Sequence, residues 1–255
     1  METPNCVSDM VFIDKKFRLP RLWSNQELRK FAHLFPGDVV NVSGWNDGDK
    51  EGSKYEEYFK NASSYSLTNF KEDSRGFQGF EGEIFLDLSK PISSRLVEKF
   101  DVVFNHTVLE HIFEVDQAFE NLCEMSRDVV ILVTPFLQEE HASYGDYWRF
   151  TPACLKRMFS RHGFEVIYQT FNSHKMASCY VFTIATRASS KWVGKIPRLL
   201  YERDPVRSFD SFCHKCGCHA IPNLGYESKV FLIQKLKAFK SFLRKVKRKV
   251  HSWIG

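Results

Sequence analysis

Seven short apolar runs, separated for the most part by segments of helical period, constrain this chain more than any other feature. They are Asp38–Ser43, Ser64–Thr68, Glu83–Leu88, Asp101–Phe104, Val129–Val133, Phe164–Gln169 and Cys179–Thr186. Runs of this length, rich in β-branched and aromatic residues and bounded by Gly, Pro, Asn or Asp, read as strands. Between them, Ala118, Leu122 and Met125 share one face of a helix over about 114–126, and Leu155, Met158 and Phe159 repeat the pattern. Strands alternating with amphipathic helices require a mainly parallel sheet covered on both faces. The last two runs are joined by Thr170–Ser178 alone, too short for a helical crossover, so that pair is expected to be antiparallel. Near the start, Ser24 with Glu27 three residues on spells a capping box, and Pro36-Gly37 closes the helix it opens.

Charge divides the chain. The net charge is +5, yet residues 187–255 carry 16 basic and four acidic side chains, leaving the rest at −7. The expected organisation is an extension over 1–19, an α/β domain over 20–186, a linker over 187–228 and a basic helix over 229–255. In that last segment Leu232, Leu236, Phe239, Leu243, Val246, Val250 and Trp253 fall at alternating spacings of four and three, with nine Lys/Arg and no acid from Lys229 onward. Such a helix suits an anionic membrane surface, or docking on an acidic body or partner helix. Nucleic acid is disfavoured by the negative charge of the preceding domain and by the absence of a stacking platform. Seven cysteines, an odd number with four of them scattered through apolar stretches, fit a reducing compartment. The first residues lack a basic flank followed by an apolar run, and no apolar stretch approaches the ~20 residues that cross a bilayer. A cytoplasmic protein, peripheral at the inner membrane face, is the expectation.

In a doubly wound sheet, ligands bind outside the carboxyl ends of the strands, where strand order reverses. The loops after Phe104 and Val133 hold the most informative residues. The first reads F-D-V-V-F-N-H-T-V-L-E-H-I from Phe100 to Ile112; the second contains Thr134-Pro135-Phe136, His141 and D-Y-W-R-F-T-P from Asp146 to Pro152. At these residues the chain resembles the class I S-adenosylmethionine-dependent methyltransferases, in a branch similar to those of bacterial surface-polysaccharide clusters. Phe85-Leu86-Asp87-Leu88 resembles the family's third-strand segment. The resemblance covers about residues 20–186. It implies a Rossmann-like seven-stranded sheet, S-adenosyl-L-methionine as cofactor, and methyl transfer to a hydroxyl or carboxylate of a glycan or lipid-linked sugar. By the same resemblance Ser43, Gly44 and Asp47 hold the methionine part, Asn69 the ribose, Asp87 lies near the adenine, and Asn105 is a further cofactor-binding candidate. His106 and His141 are the catalytic candidates, with Asp146, Trp148 and Arg149 toward the acceptor.

The chain departs from that family at two points. Where an acid followed by Gly-x-Gly-x-Gly is expected stands Asn41-Val42-Ser43-Gly44-Trp45-Asn46-Asp47-Gly48. Asn69 replaces the acid that ends the second strand; Asp47 and Asp49 could supply the carboxylate if the longer loop folds back. These departures favour an alternative, a catalytically silent methyltransferase-like scaffold.

Each candidate has a plainer role beside its chemical one. His106 serves either as a base or as a loop histidine bonded to backbone. Arg149 could clamp a carboxylate or phosphate with its fork, or stack its stem on an aromatic face. Glu110 and His111, as neighbours on a helical turn, are expected to point apart and brace the loop rather than converge on one ion. Cys213, Cys216, Cys218 and His219, with His214, could ligate zinc, although so short a loop would strain a tetrahedral site and a reduced, metal-free cluster is the rival.

Overall fold

A computed structural model describes residues 18–70, 76–141, 145–172, 174, 177–199, 216–217 and 236. Its elements are α1 (Leu19–Phe31), β1 (Gly37–Val42), β2 (Ala62–Asn69), β3 (Glu83–Phe85), β4 (Phe100–His106), α2 (Val115–Met125), β5 (Ser126–Leu137), α3 (Pro152–Arg161), β6 (Glu165–Phe171) and β7 (Cys179–Thr186). The strands form one sheet in the order β3-β2-β1-β4-β5-β7-β6. The first five are parallel to one another, whereas β7 runs antiparallel to both β5 and β6. This is the doubly wound, Rossmann-like sheet expected from the run pattern, and its strand order reverses between β1 and β4.

The period-2 alternation within each central strand sorts its side chains to two faces. Val102 and Phe104 of β4, Val129, Ile131 and Val133 of β5, and Phe182 and Ile184 of β7 pack with Leu28, Phe31 and Phe35 beside α1. Val103, Val130, Leu132, Val181 and Ala185 face the other way, onto Phe119 and Leu122 of α2 and Leu155 and Phe159 of α3. Central strands buried on both sides need apolar residues at every position, which is why these runs read as continuous rather than alternating.

Two expectations are corrected. Ser24 does not cap α1; the helix starts at Leu19 with Pro20 in its first turn, where the fixed φ and missing N–H cost nothing. Ser24 lies inside the helix, donating to the Arg21 carbonyl at 2.9 Å and bonding His106 Nε2 at 2.7 Å. Helices also cover the β3–β1 half of the sheet thinly: the link from β1 to β2 contains only a short 3-10 turn, Tyr55–Tyr58. Beyond β7, Trp192 packs edge-on against Phe35, so the fold continues past residue 186.

Contacts divide the chain into Met1–Ala220 and Ile221–Gly255. Of the second unit only Leu236 is described, and it is helical; the remaining residues of the predicted helix over 229–255 lie outside the described residues, as do Cys213, Cys218 and His219. Cys216 Sγ stands 3.7 Å from Cys179 Sγ at the start of β7. Among the described residues no helix is long and apolar enough to cross a membrane.

Candidate functional site at the carboxyl ends of the strands

The loop after β1 is strained and heavily pinned. Ser43, Trp45, Asp47 and Lys50 all take positive φ, between 51° and 69°, a conformation that costs a non-glycine residue about 1–2 kcal/mol. Two buried carboxylates hold it. Asp47, 5 % exposed, accepts from Asn41 Nδ2 at 2.7 Å, the Tyr65 hydroxyl at 2.6 Å and the Glu56 N–H at 2.9 Å. Asp49 accepts from the Glu51 and Ser53 N–H groups and the Tyr58 hydroxyl, and pairs with Arg29 of α1. Burial pushes the Asp49 pKa up, but these partners together hold it below the ordinary carboxylate range. The loop does fold back, onto α1 and β2, and neither Asp47 nor Asp49 is left to serve as the missing ribose carboxylate. Gly44 is required by close packing: a Cβ there would stand 2.4 Å from Asn41 Nδ2 and 2.7 Å from Leu67 Cδ1. Ser43 donates its N–H to Thr68 Oγ1 at 3.1 Å.

At the end of β2, Asn69 clasps the Trp45 backbone, its Oδ1 accepting from the Trp45 N–H at 2.7 Å and its Nδ2 donating to the Trp45 carbonyl at 2.9 Å. The same Nδ2 donates to Glu83 Oε1 at 2.6 Å. Glu83 therefore brings a carboxylate from β3 to the place where the sequence offers only an amide. Burial raises its pKa, but Asn69 and the Gln78, Gly79 and Phe80 N–H groups outweigh that and keep it ionised. No local pattern marks Glu83 in the sequence; its relevance comes from the pairing of β3 with β2. Asp87 accepts from the Ser89 N–H and hydroxyl and pairs with Lys90, closing the turn after Leu86.

The ends of β4 and β5 differ in kind. Among the described residues, six buried side-chain polar atoms lack a hydrogen-bond partner, and five of them cluster here: Asn105 Oδ1, both Glu110 oxygens, Thr134 Oγ1 and Gln138 Oε1. Buried polar groups are almost always satisfied, because an unmade bond costs about 1–3 kcal/mol. Asn105 uses its Nδ2 on the Val42 carbonyl at 3.0 Å, across the β1–β4 switch point, and its Oδ1 is left as an acceptor.

His106 belongs to the opposite layer, and its expected role as a base is corrected. Its ring is buried among Tyr55, Phe104 and Tyr180, with Nε2 bonded to Ser24 and Nδ1 3.2 Å from Thr107 Oγ1. Burial, reinforced by the Arg21 charge, drives its pKa well below the usual value, so it stays neutral and braces α1 against β4. Thr107 follows with φ 53°, its hydroxyl accepting from Arg21 Nη2 at 2.9 Å. A β-branched residue with positive φ marks a point where the surroundings overdetermine the backbone.

Glu110 and His111, in the 3-10 turn after β4, do converge with His141, contrary to the expectation that they point apart: one ligating atom from each of the three lies within 4.8 Å of the others. Tertiary stitching does this. The Tyr147 and Trp148 N–H groups donate to the Glu110 carbonyl, and His111 Nδ1 lies 2.6 Å from the Gly145 carbonyl, so residues 145–148 are laid over the turn. His141 Nδ1 bonds Asp146 Oδ2 at 3.0 Å. Arg149 grips both oxygens of Asp146, at 2.5 and 2.7 Å, and spends its other donors on the Gln138, Glu139 and Trp148 carbonyls. That pairing holds the Asp146 pKa far below the carboxylate range. Asp146 and Arg149 are thus positioning residues for His141; the fork proposed to clamp an acceptor is already committed. Burial raises the Glu110 pKa to about 8 and lowers that of His111.

Trp148 anchors its Nε1 on the Ile112 carbonyl at 3.0 Å and forms, with Phe113 and Tyr147, an aromatic rim beside the cluster. Phe113 is 64 % exposed, with ring centroids 5.5 Å from Tyr147 and 6.2 Å from Trp148.

No protein-family model matches the chain, and no curated protein does. Solved structures similar to it include methyltransferases. Magnesium protoporphyrin IX methyltransferase from Synechocystis, with bound S-adenosylmethionine, shares 14 % identity over 73 % of this chain and 86 % of its own, at a TM-score of 0.47. The 1,6-didemethyltoxoflavin-N1-methyltransferase of Burkholderia thailandensis, bound to its substrate and S-adenosylhomocysteine, shares 12 % over 73 % of this chain and 92 % of its own, at 0.45. At such identities the likeness is one of fold alone.

At the switch point the chain presents a buried acceptor, Asn105 Oδ1, of the kind that takes an ammonium N–H, and beside Asn69 the ionised Glu83 carboxylate, of the kind that takes hydroxyl donors.

Proposed function

We propose that this chain transfers a methyl group from S-adenosylmethionine to a hydroxyl or carboxylate of a glycan or lipid-linked sugar. The observation that carries the reading is the cluster of unpartnered polar atoms at the carboxyl ends of β4 and β5, beside the point where strand order reverses. Bound there, the cofactor would supply an electrophilic methyl group on a sulfonium. Asn105 would hold the ammonium, and Glu83 with Asn69 the ribose hydroxyls. Methyl transfer then needs an in-line approach, exclusion of water and, for a hydroxyl acceptor, a means of removing its proton. Glu110, His111 and His141 form the group that activates the acceptor oxygen, with Asp146 and Arg149 fixing the His141 ring. The exposed rim of Phe113, Tyr147 and Trp148 suits the apolar face of a sugar ring or the start of a lipid.

The Asn69–Trp45 clasp favours a second reading, a silent scaffold, because it occupies the amide that would meet the ribose. Calorimetric titration with S-adenosylmethionine and S-adenosylhomocysteine separates the two. Binding of both supports the enzyme; no heat at millimolar ligand overturns it. The basic segment 229–255 is proposed to hold the protein at an anionic membrane surface. Equal pelleting of full-length and 1–228 chains with anionic vesicles would end that idea.

A further inference from the structure

We propose that Glu110, His111 and His141 hold a single divalent transition-metal ion. Three donors of suitable kind lie within 4.8 Å of one another, but proximity alone would not make a site. Two independent features point to a ligand.

One is the wiring behind the histidines. Metal-binding imidazoles characteristically donate their second N–H to a carbonyl or carboxylate, which fixes the tautomer and turns the other nitrogen to the ion. Both histidines have that arrangement: His111 Nδ1 on the Gly145 carbonyl at 2.6 Å, and His141 Nδ1 on Asp146 at 3.0 Å. With the proton on Nδ1, each Nε2 presents a lone pair. Asp146 is itself locked by the two-pronged Arg149 bond, so the support extends one shell further out.

The other is Glu110. It is fully buried, and neither carboxyl oxygen has a hydrogen-bond partner; Oε1 lies 3.7 Å from His111 Nε2. A carboxyl group removed from water and left unbonded is costly, and a cation ligated by both it and the imidazoles removes that cost. Arg21 and Arg149 also face Glu110. Arg149 is neutralised by Asp146, and Arg21 is bonded to Tyr55 and Thr107 rather than to the carboxylate.

Two imidazoles and a carboxylate select zinc, cobalt, iron(II) or manganese over the all-oxygen sites of magnesium and calcium. Ligands at about 2.1 Å from a tetrahedral ion stand about 3.4 Å apart, so the donors must draw together by up to about 1.4 Å. His141, on a loop and with 32 % of its side chain exposed, can make that movement. Three protein ligands leave a coordination position open, as in catalytic rather than structural sites. If the methyl-transfer reading holds, that position is where the acceptor oxygen is polarised. The metal site itself does not depend on it.

The test uses the full chain with Cys213, Cys216 and Cys218 changed to Ser, so that those thiolates cannot take up metal. The chelator-stripped protein is titrated with Co2+ while its visible absorption is followed. One equivalent per chain is expected, without a sulfur-to-cobalt band in the near ultraviolet. Affinity should fall at least about tenfold in Glu110→Gln and in His141→Ala. His141→Ala alters a partly exposed loop side chain, and an unchanged melting temperature of the metal-free variant verifies its fold. Absence of cobalt uptake at millimolar metal, or uptake unchanged in both variants, overturns the proposal. Calorimetry with S-adenosylmethionine on the same samples keeps the two readings apart: cobalt without cofactor binding sinks methyl transfer alone, and cofactor without cobalt binding sinks the metal site alone.

Discussion

Replacing Asp47 by Ala tests whether this carboxylate holds the loop or holds a ligand. Its oxygens accept three hydrogen bonds, from Asn41, Tyr65 and Glu56, at 2.6 to 2.9 Å. Each is worth about 1 kcal/mol net, so their loss costs about 3 kcal/mol. Asp47 also sits at φ 62°, where Asp is tolerated and Ala adds about 1 kcal/mol. The total, about 4 kcal/mol, lowers the melting temperature of a body of this size by about 8–16 °C. Asp47→Asn keeps the αL tolerance and one carbonyl acceptor, and should recover about half of the loss. Differential scanning calorimetry of the three proteins, without ligand, reads both effects. A melting temperature for Asp47→Ala within about 2 °C of the parent would refute the pinning role. So would an Asp47→Asn variant of parental stability that had lost cofactor binding, since it would return Asp47 to the ligand.

Three further outcomes follow from the same geometry. Arg149→Met strips Asp146, whose side chain is almost wholly buried, of its bidentate partner; a loss of about 3–5 kcal/mol in urea unfolding is expected, with Arg149→Lys recovering only part, and a loss below about 1 kcal/mol would contradict the arrangement. Asn105→Ala should weaken S-adenosylmethionine binding about tenfold by calorimetry and also cost about 1–3 kcal/mol of stability, because it removes the buried Nδ2 bond to the Val42 carbonyl along with the Oδ1 that bonds nothing within the protein; unchanged affinity in the folded variant would dismiss the ammonium assignment. His106 is held neutral in the fold, its pKa well below the value of 6.5 it regains on unfolding. The unfolded state therefore binds the extra proton, and stability declines as pH falls below about 6.5, by up to about 1.4 kcal/mol per pH unit. Glu110 and His111 also titrate differently in the fold, so the slope is read from the difference between the parent and His106→Gln in denaturant unfolding between pH 8 and 5, where those contributions are common to both. No difference between the two proteins would refute the assignment.

What could be read from the sequence was whatever a short period encodes. The runs at Val129–Val133 and Cys179–Thr186 became β5 and β7 because strands buried on both faces need apolar side chains at each position, and a nine-residue link already forbade a parallel crossover. The start of α1 was misplaced because Ser24 and Glu27 match a capping pattern, whereas the hydroxyl of Ser24 is used 82 residues away, on His106. The site followed the same division. The loops that bear it were visible from strand ends, and His141 with Asp146 and Arg149 stood in a recognisable string. Their division of labour was not visible, since a free fork and a committed one are spelled alike. Glu83 and the convergence of Glu110 with His111 were hidden for a related reason. Each depends on a segment that arrives from elsewhere, β3 on β2 in one case and Tyr147–Trp148 on the 109–111 turn in the other.

The clasp of Asn69 on Trp45 has a kinetic consequence. A nucleoside taking the Asn69 amide must wait for two protein bonds to open, so only the opened fraction of the resting population is competent. Observed affinity is the intrinsic affinity scaled by that fraction, and each 1.4 kcal/mol of clasp stability removes about a factor of ten. Arrival would then be gated by opening, with an observed rate that levels off as ligand concentration rises instead of climbing with it.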